Sequence, residues 1–293
     1  MPFRMESEID CDRVESQQTR NGVGFDPDLL NAVERRFWHG IWETMPADAA
    51  AEHGVEARDF GPVQATVVED LPATPMLNLV LGAEESGAVT GGHLSAALDW
   101  MESRRVSFYV PLVEATGSGG ARDLLESRQY ERGYPWMKFV RDAHPPRFSP
   151  PTGVEVFAVD DEAGPFGMIV ATGFSLPPWA SAFFADLHRK PGWHCYLARI
   201  DDEPAACAAM FLHDGLAEFG IAATLEPARG RDCQTALLHR RIVDAATAGC
   251  HTLFVETGER TPGRPSTSYG NILRAGFEEA YLRPNWQRDT NVG

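Results

Sequence analysis

Behind Asp26 and Pro27, the apolar residues Leu29, Leu30, Val33, Phe37, Trp38 and Ile41 recur at helical spacing and predict a capped helix. Apolar runs predict strands over 63–68, 76–81, 106–113 and 136–140, with helices over 93–103 and 120–129 between them. The second half has a clearer rhythm. A strand over 154–159 precedes short helices near 166–171 and 179–187, and three strands follow over 194–200, 205–212 and 217–223. Asp201-Asp202-Glu203-Pro204 and His213-Asp214-Gly215 separate these three, and such turn chemistry implies an antiparallel meander. A long helix over 231–248, a strand over 252–256, a helix over 266–275 that stops at Gly276, and a strand over 277–283 complete the pattern.

Residues 143–152 hold four prolines in ten, the strongest linker signal in the chain. They divide it into a flexible polar segment 1–24, a first domain 25–145 and a second domain 150–293. A short repeat joins the halves: Gly276-Phe-Glu-Glu-Ala-Tyr281 resembles Gln129-Tyr-Glu-Arg-Gly-Tyr134, each after a helix and opening a strand. The repeat suggests one fold used twice.

The 293 residues carry 26 Lys+Arg against 42 Asp+Glu, a net charge of −16. That charge repels a phosphate backbone, so nucleic acid is disfavoured as a partner. Lysine occurs only at 138 and 190, which reads as composition and not as chemistry. Cys11, Cys195, Cys207, Cys233 and Cys250 are scattered, without a Cys-x-x-Cys pair. They read as reduced thiols of a cytoplasmic protein, with no metal site expected. The amino-terminal stretch lacks the apolar core of a signal peptide, and no run reaches the ~18 apolar residues of a membrane span. Trp38, Trp42, Trp100, Tyr134 and Trp136 read as core.

The stretch most informative about chemistry runs from Ala217 to Leu238. A strand enters a turn at Glu226-Pro227, then Arg229-Gly230-Arg231-Asp232-Cys233-Gln234-Thr235 leads into the long helix. A helix N-terminus offers unpaired N–H groups and a partial positive charge, a site for a pyrophosphate. Gly230 lets the backbone approach closely, and Arg229 and Arg231 can contact phosphate oxygens. Cys233 sits where a thiol pKa tends to fall, but it reads as a small residue tolerated beside the loop.

Residues 194–285 resemble the core of the GNAT N-acetyltransferase superfamily. The resemblance rests on the meander entering Pro227-x-Arg-Gly-Arg231, the apolar strand Leu253-Phe-Val-Glu256, and the ending Leu273-Arg-Ala-Gly-Phe277. It implies a mixed α/β GNAT fold, with a mostly antiparallel sheet flanked by helices and, given the repeat, duplicated with a degenerate first copy. It also implies acetyl-CoA as donor and direct transfer to an amine in a ternary complex. The backbone of Ala222, Ala223 and Thr224 would pair with the pantetheine arm. The loop from Arg229 to Thr235 would hold the pyrophosphate, and Asn271 would reach the coenzyme.

Two departures from the family pattern stand out. Asp232 and Gln234 occupy positions the family fills with small residues. Ile272 occupies the position where many members carry a tyrosine general acid, so Tyr269 or its neighbour Ser268 would substitute. Glu218 and Glu256 are the candidate bases. Arg260 and Arg264 lie in a Gly/Pro-rich loop, either on a substrate anion or simply at the surface. In the first half, Glu84 and Glu85 fall where the second half has arginines, and two carboxylates would repel a pyrophosphate. A small-molecule amine is the expected partner, ahead of a protein acceptor. The missing tyrosine keeps a second reading open, a catalytically inactive acyl-CoA-binding or regulatory module.

Overall fold

The computed structural model describes residues 17–19, 22–113, 119–159, 164–261, 263 and 266–288. The predicted flexible segment lies almost wholly outside them, as do Cys11 and Arg264.

The chain opens with a two-stranded ribbon, β1 (Gln17–Gln18) and β2 (Gly24–Phe25), then α1 (Pro27–Trp42) and α2 (Ala47–Glu52). Asp26 caps α1 as its sequence implies, accepting from the amides of Asp28 and Leu29 at 2.9 and 3.4 Å. Next come β3 (Val55–Phe60), β4 (Val63–Val68), β5 (Leu79–Leu81), α3 (His93–Ser103), β6 (Val110–Pro111), α4 (Gly119–Ser127), β7 (Glu131–Arg132) and β8 (Trp136–Asp142). The run 76–81 is a 3-10 turn followed by a short strand, because Pro75 starts a turn and lacks an N–H for the ladder.

The second half comprises β9 (Glu155–Ala158), α5 (Gly164–Gly173), α6 (Ala182–Ala185), β10 (Trp193–Ile200), β11 (Glu203–His213) and β12 (Leu216–Thr224). It continues with α7 (Cys233–Thr247), β13 (Thr252–Gly258), α8 (Thr267–Arg274), β14 (Glu278–Arg283) and β15 (Asn285–Gln287). Sequence periodicity gave no sign of β15, since three residues are too few to show a period.

The largest sheet runs β14-β8-β13-β12-β11-β10-β9. Its meander β10-β11-β12 is antiparallel, β13 joins β12 in parallel, and β8 and β14 continue antiparallel. Helix α7 packs on one face of this sheet, and α1 and α5 on the other. The first half repeats this order with shorter strands. Its meander β3-β4-β5 meets β6 through a parallel bridge between Leu79 and Tyr109, and β15 and β7 follow.

The inserted strand in each sheet comes from the other half: β8 lies between β13 and β14, and β15 lies between β6 and β7. The sequence repeat falls on the edge strands of this arrangement, β7 and β14. Gln129 and Gly276 occupy equivalent left-handed positions at the ends of α4 and α8, with φ of 65° and 85°.

Candidate active site

Pairing between β12 and β13 runs from Leu216–Thr252 to Phe219–Val255 and then stops. The two strands separate beyond that point. On its other side, β12 pairs Ala209 with Gly220 and Cys207 with Ala223, so the register slips by one residue between them. Ile221 takes φ +48° at this bulge, a strained value for a β-branched side chain. Buried Arg241 braces the opposite strand, donating to the Ala209 carbonyl at 2.9 Å and to Leu237 O at 3.2 Å. Burial draws its guanidinium down to about 10.

A cavity of about 610 Å³ opens where the strands part. Glu218, Ile221, Ala222, Glu256, Gln234 and Ser268 line its sheet side. Phe37, Trp38 and Ile41 of α1, with Leu77, Tyr109 and Trp136, line its other side. The reading of Trp38 and Trp136 as simple core is therefore corrected: both also form cavity wall.

Cross-strand register places the two candidate bases on one sheet face. Glu218 is level with Phe254, and Glu256, two residues farther along β13, is level with Lys138 of β8. Lys138 Nζ lies 2.9 Å from Glu256 and 3.1 Å from Glu34 of α1. Arg283 donates to Glu34 through both terminal nitrogens and to Glu256 at 2.8 Å. Lys138, Glu34 and Arg283 are all buried. Lys138 is thus not an incident of composition.

Charge settles unevenly in this cluster. Burial would raise the Glu34 carboxyl, but Arg283 and Lys138 hold it down to about 2. Glu218 has no such support. It is 4% exposed and its Oε2 has no hydrogen-bond partner. Burial pushes its carboxyl well above the usual range, Lys138 opposes this, and Glu34 and Glu256 reinforce it.

The loop before α7 turns at a glycine. Gly230 has φ +76° with open space beside it, and Arg229 and Arg231 are exposed. Arg231 pairs with Asp201 at 3.2 Å in an exposed contact that phosphate can replace at little cost. Asp232 adopts φ +59°, a left-handed conformation that Asp tolerates better than most residues, and its exposed side chain makes no capping bond. Cys233 is buried, which raises its thiol pKa, so the expected helix-terminus lowering does not prevail.

Behind the loop, Gln234 Nε2 donates to Ser268 Oγ at 2.8 Å, and Asn271 Nδ2 donates to Gln234 Oε1 at 2.6 Å. Asn271 also accepts from Arg274, so its amide is engaged by protein on both atoms. Thr235, half-buried, is in the first turn of α7, and Thr224 pairs with Ala206 at the end of β12.

Tyr269 is corrected as a catalytic candidate. Its hydroxyl donates to Glu279 at 2.6 Å, its ring packs edge-on against Phe139, and Arg260 lies 4.9 Å from the ring centroid. Ser268 lines the cavity in its place, because one residue along a helix turns the side chain by about 100°. Glu85 in the first half is paired with Arg35 of α1 at 2.5 Å, which fits a loop docked as structure and not as a phosphate cradle.

Residues 164–259 match the family model for the acetyltransferase (GNAT) domain. Over that third of the chain, the protein is similar to the GNAT acetyltransferase domain. The match begins at α5 and ends just past β13, so it contains the meander, the loop, α7 and the strand separation. No curated protein matches.

Among solved structures, a GCN5-related N-acetyltransferase from Kribbella flavida superposes with a TM-score of 0.59 at 15% identity, covering 89% of this chain and 95% of its own. One from Sphaerobacter thermophilus gives 0.57 at 15% identity, covering 79% and 82%. A tandem GNAT protein from the clavulanic acid biosynthesis pathway gives 0.55 at 14%, covering 79% of each chain. At such identities the likeness is one of fold. The matched model describes acetyltransferase domains in general. The described residues hold no group of three or more potential metal ligands and no helix long and apolar enough to cross a membrane.

Proposed function

We propose that this GNAT protein transfers an acetyl group from acetyl-CoA to a small-molecule amine within a ternary complex, in the cytoplasm. The observation that carries the reading is the strand separation beside Glu218, a buried carboxylate with an unpartnered oxygen at the cavity wall. Arg229, Gly230, Arg231 and the first amides of α7 would hold the pyrophosphate, and the edge of Ala222–Thr224 would pair with the pantetheine arm. The coenzyme supplies the activated acyl thioester.

Glu218 takes a proton from the incoming ammonium and so leaves a neutral nucleophile. An amide of the bulge at Ile221–Ala222 supports the carbonyl oxygen as charge develops there. Ser268 is the hydroxyl positioned to donate toward the departing sulfur. Lys138 and Arg283 hold Glu256 and Glu34 in place, so Glu218 is the base and Glu256 a positioning residue. The first half acts as a degenerate copy of the fold, contributing cavity wall and the strand that carries Lys138.

Ile272, 1% exposed, and the inward-turned Tyr269 favour the second reading, a non-catalytic acyl-CoA-binding module. Calorimetry with acetyl-CoA tests the coenzyme claim. Wild type should bind, and the paired Arg229→Ala/Arg231→Ala variant should lose about 1.5–3 kcal/mol per arginine. No binding of acetyl-CoA by the wild type would overturn the transferase. Binding without turnover across a broad amine panel would establish the module.

A further inference from the structure

The acceptor's chemistry can be read from the cluster and the cavity, given the acyl-transfer reading above. Three carboxylates, Glu34, Glu218 and Glu256, face two cations, Lys138 and Arg283. Both cations are spent on Glu34 and Glu256. Tyr281, also in the cluster, is a neutral phenol whose ionisation burial opposes. Glu84 feels Arg283 across space and brings no positive charge. Glu218 is therefore the one carboxyl of the three left without a pairing cation, its Oε2 unpartnered at the cavity wall, and an incoming ammonium would supply the charge that lets it ionise.

The remaining walls restrict what that cation can be attached to. Phe37, Trp38, Leu77, Trp136 and Phe184 offer apolar and aromatic surface. Arg241 is the one basic residue among the described residues lining the cavity, and it already donates to two carbonyls. An acceptor carboxylate or phosphate would have no counter-charge there, and buried unpaired charge is costly. Against the α1 side of the cavity, a hydroxyl-rich sugar would set most of its hydroxyls on Phe37, Trp38, Trp136 and Phe184. A polyamine would bring a second ammonium with no second free carboxylate.

We propose that the acceptor is a primary amine on an apolar body without an anionic group, its ammonium on Glu218. In the transfer, the nitrogen lone pair forms the bond to the acetyl carbon and the C–S bond breaks with its electron pair leaving on sulfur. One ammonium proton passes to Glu218 and then to solvent. A second leaves the nitrogen as the amide forms and ends on the coenzyme sulfur.

The test is calorimetric titration of the full-length protein, free and loaded with desulfo-CoA, with 2-phenylethylamine, phenylalanine, glucosamine and spermidine. 2-Phenylethylamine should bind at least about 10-fold tighter than the other three, and Glu218→Gln should weaken it about 10- to 100-fold. Circular dichroism on the near-isosteric variant confirms that it folds. Equal or tighter binding of phenylalanine, glucosamine or spermidine overturns the proposal. So does unchanged 2-phenylethylamine binding in Glu218→Gln, or no amine binding to either form. Selective 2-phenylethylamine binding by a protein that ignores acetyl-CoA would support the amine site and overturn the transferase.

Discussion

Lys138 Nζ lies 2.9 Å from Glu256 Oε2, and the two residues are direct cross-strand partners on β8 and β13. One strand comes from before the proline-rich linker and the other from after it. The pair therefore ties the inserted strand to the seven-stranded sheet at the edge of the cavity. Removing one partner of a buried pair leaves the other charge uncompensated, which usually costs about 3–5 kcal/mol. Lys138→Met should lower unfolding free energy in urea by that order, and adding Glu34→Gln should restore part of the loss.

Glu218→Gln separates stability from activity. A carboxyl raised in the folded state contributes stability that is full below its unfolded value and is lost as pH rises through the folded one. Glutamine mimics the protonated acid, so the variant should gain on wild type as pH increases. Its kcat should fall by about 10²–10⁴ if Glu218 is the base. Denaturation at pH 5 and 8.5 beside steady-state kinetics checks both. The wild-type kcat/KM should climb with pH through a value above the ordinary carboxylate range.

Glu84 gives an independent pH effect of the same sign. Burial pushes its carboxyl to about 7, and its Oε2 has no partner. The associated stability is present below pH ~4.5 and gone above pH ~7, up to about 3 kcal/mol and less for its partial exposure. Glu84→Gln should match wild type at pH 4 and exceed it at pH 8 in thermal unfolding, with acetyl-CoA affinity unchanged.

Tyr269→Phe removes a hydroxyl whose partner is Glu279. The cost should be about 1 kcal/mol of stability, with kcat/KM within about twofold of wild type. Ser268→Ala should instead lower kcat about 10-fold or more, since its hydroxyl lines the cavity. Reversal of that order in paired kinetic assays would restore Tyr269 as the acid.

Trp286 of β15 is 2% exposed and sits in the core of the first half. Trp286→Ala should destabilise by about 3–5 kcal/mol. Proteolysis should then cut first among residues 55–132, far from the substitution in sequence, because β15 is the strand that joins β6 to β7.

Much of the second half's fold was legible because its signals are local. The meander rests on turn chemistry at Asp201–Pro204 and His213–Gly215, and the loop before α7 on Gly230 at a helix start. The α8 ending rests on Gly276, whose φ of +85° shows why glycine stands there. Glu218 and Glu256 were visible as carboxylates on strands that flank one another. Whether Tyr269 or Ser268 faces the cavity was not legible, because adjacent residues on a helix point in different directions, and only packing against Phe139 and Glu279 fixed which one turned inward.

By itself, the sequence determined the order of elements, the loop and the acidic balance, all set within a few residues of chain. The tertiary structure decided what depends on contacts across more than a hundred residues. It exchanged β8 and β15 between the sheets, and brought Glu34 and Lys138 together from positions 104 residues apart. It closed the cavity with α1 and left Glu218 Oε2 without a hydrogen-bond partner. No local pattern encodes such pairings, because a strand's partner is chosen by the surface and charge it can bury with that partner, not by the residues next to it in the chain.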